Sequence, residues 1–94
     1  MEKKEFIEMM EGHLRTFDQE IQKLAAKAEK AGTELKADLE KQMKNLRARR
    51  HETEKNLATL KEKGEGAWQE LRGGMESAWR DLKNGLDKAV DRFK

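Results

Sequence analysis

Few side chains in this chain have the chemistry for catalysis or metal binding. Ser77 is the single serine, and neither His13 nor His51 lies near a recognisable nucleophile motif. Aspartate and glutamate are abundant, yet they are spread as solvated helix faces require and form no acid–base constellation. Met9 and His13 stand four residues apart, so on a helix a soft metal would find a thioether beside an imidazole. Two ligands make an incomplete site, and no metal or other cofactor is expected. Cysteine is absent, which excludes disulfide and thiol chemistry. One acid-free basic run, "KQMKNLRARRH", carries Lys41, Lys44, Arg47, Arg49 and Arg50. It is short and lacks a stacking aromatic, so a solvated face is favoured over nucleic-acid binding. The residues thus predict a protein that is not an enzyme.

The elements that hold these side chains are easier to read. Ala, Glu, Lys, Leu and Arg supply 55 of 94 residues, and proline and tyrosine are absent. That composition is typical of long helices and coiled coils. Charged residues make up 43% of the chain, but 21 basic and 19 acidic side chains nearly cancel, so long-range steering toward nucleic acid is weak. The opening "MEKKEFIEMM" lacks the apolar run of a signal peptide, and no window approaches a membrane span. A cytoplasmic location is expected.

Apolar residues define a seam at Ile7, Met10, Leu14, Phe17, Ile21, Leu24, Ala28, Ala31 and Leu35, with steps alternating between three and four. This is the coiled-coil heptad. Leu35, Leu39, Met43 and Leu46 then step by four, four and three, a stutter that relaxes supercoiling. Polar Arg50 and Thr53 interrupt the seam before Leu57 and Leu60 restore it.

From residue 64 a period of eleven takes over, in three units. Its columns are Gly64/Met75/Leu86, Ala67/Ala78/Ala89, Trp68/Trp79/Val90 and Leu71/Leu82/Phe93. Eleven residues make about three helical turns, so each column becomes a straight stripe. A small edge (Gly74, Ala78, Gly85, Ala89) would admit another backbone closely, while Arg72–Glu76 and Lys83–Asp87 are spaced to pair along the helix.

With no proline, turns fall at glycine. Thr33 after Gly32 offers an N-cap, and "GEGAW" offers two glycines ahead of the repeat. The favoured fold is an all-α, antiparallel coiled-coil hairpin. A heptad arm (1–63) is helical over most of 4–62, and a C-terminal segment (64–94), helical near 66–93, folds back on it at Gly64–Gly66. That reflection sets Trp68 against Leu60, Leu71 against Leu57, Met75 against Thr53, Leu82 against Leu46, and Phe93 against Leu35. Trp79 would fall beside Arg49 and Arg50, where a cation–π contact would fill the polar gap. A second break at Gly32, giving three helices, is the alternative.

Taken together, "EFIEMMEGHLRTFDQEIQKLAAKAEK", "EKQMKNLRARRHETEKNLATLKEK" and "AWQELRGGMESAWRDLKNGLDKAVDRFK" resemble a bacterial family of small helical proteins. These are the coiled-coil or stress-response proteins of the cyanobacterial type. The resemblance is sharpest at Trp68, Leu71, Trp79, Leu82, Phe93 and Lys94, and it implies a non-enzymatic protein associated with stress. Where this chain has Phe17, Gly32 and Gly64, the family often has tryptophan and non-glycine residues.

Two functions compete for the tail. A protein seam would use Trp68, Leu71, Met75, Trp79, Leu82, Leu86, Val90 and Phe93 together with the arm, and would exploit the small edge. A lipid surface would take the same apolar face, as apolipoprotein-like 11-residue repeats do. Balanced charge and helix-weakening glycines favour the seam. The expected function is a self-associating scaffold or stress-associated interaction protein, a homo-oligomer through an exposed heptad face in the first thirty residues. Reversible lipid binding is the alternative.

Overall fold

The computed structural model describes residues 2–92 and is all-α. Helix α1 runs Lys3–Lys30, α2 Thr33–Glu62 and α3 Glu65–Arg92. At about 1.5 Å rise per residue, helices of 28 to 30 residues account for the 51 Å long dimension of a body only 18 × 16 Å across. Side-chain pairs fix the directions. Asp18 meets Arg50 and Asp38 meets Arg92, so α2 is antiparallel to both neighbours. Phe6 meets Trp68 and His13 meets Trp79, so α1 and α3 are parallel. Each helix packs on the other two.

The continuous arm expected over 4–62 is therefore two helices. Ala31 and Gly32 both adopt extended backbone, with ψ of 158° and 162°, and the α2 ladder restarts with Lys36 N–H donating to Gly32 O at 2.8 Å. Glycine is a weak helix former, so a break here forfeits little, and folding buries seven side chains of α1. Gly32 itself takes the N-cap position and Thr33 is already inside the helix, with no side-chain cap. The second turn lies at Lys63–Gly64, one step before the expected Gly64–Gly66, and Gly66 is helical. Lys3 Nζ donates to the carbonyls of Lys61, at 2.9 Å, and Lys63. It thereby satisfies acceptors at the end of α2 with a charge that suits the helix dipole.

Two apolar clusters fill the interior. Near the Lys63–Gly64 turn, Phe6, Met10, Leu14, Leu57, Leu60, Trp68 and Met75 pack together. Near the Ala31–Gly32 turn, Phe17, Ile21, Leu24 and Ala28 meet Leu39, Met43 and Leu46 of α2 and Leu82, Leu86 and Ala89 of α3. Trp79 packs against both.

Between them lies a polar waist. Thr53 is only 3% exposed and its hydroxyl donates to Arg49 O at 3.1 Å. Arg50 forks onto Asp18 through Nε–Oδ1 (3.1 Å) and Nη2–Oδ2 (3.0 Å), and its Nη1 reaches Glu54. Counting Arg50 and Thr53, the inner face of α2 reads 39, 43, 46, 50, 53, 57, 60 without a misstep. The stutter that begins at Leu35 lies just inside α2, and Leu35 is 48% exposed.

Helix α3 departs from its eleven-residue columns in a similar way. Its buried residues Trp68, Met75, Leu82 and Ala89 recur every seven, with Leu86 between. Side chains that must meet two long neighbouring helices follow the 3.5-residue seam, and a straight eleven-residue stripe drifts off it. Leu71, assigned to the seam by its column, is accordingly 40% exposed. The inward position beside it belongs to Arg72, half-buried over the Phe6 ring at 6.0 Å and paired with Glu76 at 3.0 Å.

Candidate functional site

The residues expected to form an association seam do converge, but inside one chain. Met10, Leu14, Phe17, Ile21, Leu24, Trp68, Met75, Leu82 and Leu86 are buried, while Ile7, Trp79 and Val90 are half-buried. Phe93 lies outside the described residues. The face of α1 expected to drive self-association is therefore covered by α2 and α3. Phe6, which sequence reasoning passed over for Ile7, is fully buried and meets Trp68 with ring centroids 5.8 Å apart. Its signal was present: Phe6 lies four residues before Met10, as valid a seam step as Ile7 at three.

Trp79 does not cap the basic run. It stacks on His13, with centroids 4.7 Å apart and planes inclined by 5°. Arg50 is held by Asp18 and Glu54 instead, because a carboxylate fork satisfies the guanidinium better than a ring face. Arg49 turns toward α3, where its Nη1 lies 3.2 Å from the place a Cβ on Gly85 would occupy. Lys41, Lys44 and Arg47 are exposed. Lys44 and Arg47 share a shallow groove of about 550 Å³ with Lys36, Met43, Ala25 and Ala28, and with the acids Glu29 and Glu40. Mixed charge makes that groove a poor phosphate track.

Of the two predicted pairs on α3, Arg72–Glu76 forms. Among the described residues Lys83 and Asp87 make no ion pair. The small edge is also divided. Gly85 approaches α2 closely, with Leu46 Cδ2 at 3.1 Å from a notional Cβ, whereas Gly74 faces open space. Gly74 instead lines a neutral groove of about 290 Å³ with Leu71, Met75, Asn56 and Thr59, so that the exposed Leu71 adjoins a cleft.

Ser77 and His51 are exposed on different helices. No group of three His, Cys, Asp or Glu side chains among the described residues is placed to hold a metal ion. No described helix is long and apolar enough to cross a membrane.

No family model matches the chain, and neither a curated protein nor a solved structure matches it.

Proposed function

We propose that this chain is a non-catalytic helical scaffold, a stress-associated interaction protein that works by self-association and partner binding. The observation that carries the reading is the burial of Trp68, 1% exposed against Phe6. The residue best suited to lipid insertion already has a protein environment, and transferring it to a membrane would sacrifice that packing. The stress association comes from the sequence resemblance alone. With the α1 seam covered, self-association has to use what remains outside, chiefly Leu71 with its neutral α2–α3 groove and Leu35 at the opposite end.

Sedimentation equilibrium tests this reading. Wild-type protein is expected to associate in the micromolar to millimolar range, and a Leu35→Asp/Leu71→Asp chain to associate less while keeping its helical content. A wild-type chain that stays monomeric throughout removes self-association from the proposal. Reversible lipid binding by α3 is the second reading, supported by the amphipathic character of that helix and the short Lys63–Gly64 connection on which it would swing. Flotation with anionic vesicles, accompanied by loss of α1–α3 contact at Trp68, would place the lipid reading first.

A further inference from the structure

We propose that the α1–α3 seam at Met9, His13, Met75 and Trp79 binds a soft monovalent metal ion of the copper(I)/silver(I) type. Met9 and His13 alone supply two ligands one helical turn apart. The fold adds a matching pair from α3. Trp79 stacks on His13, and Met75 stands one turn before Trp79 as Met9 stands one turn before His13. Because α1 and α3 run parallel, the two methionines lie on the same side of the His13–Trp79 stack, each one turn toward its helix N-terminus. Met75 belongs to the cluster near the Lys63–Gly64 turn, and Met9 and Trp79 pack against that same cluster.

The donor set suits this class of ion. Two thioethers and one imidazole are soft, neutral ligands that select copper(I) over hard divalent cations, and such ions accept two or three ligands. The stack supplies the fourth element. A metal on an imidazole nitrogen lies in the plane of that ring, and here the ring is parallel to the indole within 5°. An ion held there sits at the stacking height beside or above the Trp79 face, where the ring quadrupole attracts a cation. Tryptophan is the strongest side chain in that role. Access and shelter are both present: Met9, His13 and Trp79 are half-buried, while Met75 is buried. The nearest cation along α3 on the Met75 side, Arg72, is engaged by Glu76.

The test uses the full chain, methionine-methyl and indole NMR, and silver(I) nitrate in chloride-free buffer as a redox-inert probe. One equivalent should shift the ε-methyl resonances of Met9 and Met75 and the indole N–H of Trp79, leaving Met43 unmoved. Met9→Leu and Met75→Leu preserve side-chain volume, and each should weaken binding by about tenfold or more, the scale on which metal sites respond to a lost supporting group. His13→Phe keeps a ring against Trp79 but removes the nitrogen, and should weaken binding likewise while thermal unfolding changes little. Shifts confined to Met1, Met10 or Met43 would overturn the proposal. So would variants that bind as wild type does, or the absence of saturable binding at micromolar silver.

Discussion

The two ends of the molecule solve the same packing problem with different side chains. At the Lys63–Gly64 end the core is built on the aromatic rings of Phe6 and Trp68 with Met10 and Met75. At the Ala31–Gly32 end Ala28 and Ala89 join the core, and Gly85 lets Leu46 approach to 3.1 Å of a notional Cβ. Large side chains hold helices apart and small ones draw them together, so glycines at equivalent repeat positions acquire unequal roles. Gly85 is a contact; Gly74, eleven residues earlier, is not. A repeat in sequence is not a repeat in environment once the helix has a fixed inner face.

The two ends exist only if the chain turns at each of them, and the largest expected effect tests the turn at Ala31–Gly32. Spin labels at positions 23 and 44, both exposed lysines, should lie about one interhelical distance of 8–10 Å apart plus linker reach. A continuous arm would separate them by roughly 32 Å at 1.5 Å per residue. A pulsed-EPR distribution centred on the long distance, with labelled chains diluted in unlabelled, would abolish the Ala31–Gly32 end altogether.

The aromatic end is sharpened by truncation. Trp68→Ala should cost about 3–5 kcal/mol in urea unfolding, the range for a buried aromatic side chain. Trp79→Ala should cost less, because its ring is only half-buried. Equal losses would mean that the aromatic end is no more tightly organised than the waist.

The glycines sharpen the comparison from the other side. Gly74→Ala should raise stability by about 0.5–1 kcal/mol, since alanine relieves the backbone entropy cost and its methyl meets nothing. Gly85→Ala should gain less, because Leu46 and Arg49 must yield by a few tenths of an ångström. Identical thermal shifts for the two variants would contradict the close approach.

Smallest is the waist. Asp18→Asn should cost no more than about 1 kcal/mol and lose its effect in high salt, because the carboxylate is nearly half exposed. A large, salt-independent loss would make the polar layer, and not either apolar end, the keystone of the fold.

How far the sequence reached is instructive. Helical class, the turn near Gly64 and the Arg72–Glu76 pair follow from local rules about glycine and helical spacing, and all three are present. The α2–α3 register was legible to within a turn: Leu46 was set against Leu82 and meets Gly85. Local rules could not decide between adjacent candidates. Phe6 displaces Ile7, and Arg72 displaces Leu71, because the choice depends on which face two other helices cover. The break at Gly32 was legible only as the alternative, since the heptad steps continue from α1 through Ala31 to Leu35 across the turn and the stutter begins only after it. The Met9–His13–Met75–Trp79 grouping was half visible. Its second half needs the parallel alignment of α1 and α3, which no pattern within one helix contains.

The Arg50 fork has a consequence of a different kind. A seam of repeating apolar residues is nearly unchanged when one helix slides along another by seven positions, so burial alone discriminates poorly among alignments. Arg50 is a mark that breaks this translational degeneracy, as a single polar residue at a seam position does in coiled coils. Shifted one way it would face Ala25, which offers no acceptor, leaving the half-buried guanidinium with Glu54 of its own helix alone. Shifted the other way it would face Glu11, but Lys61, which holds Glu11 at 2.8 Å in the observed alignment, would move with it and face Lys4. Two ion pairs of small energetic weight thus act as a detent, selecting a single alignment from a ladder of near-equivalent ones.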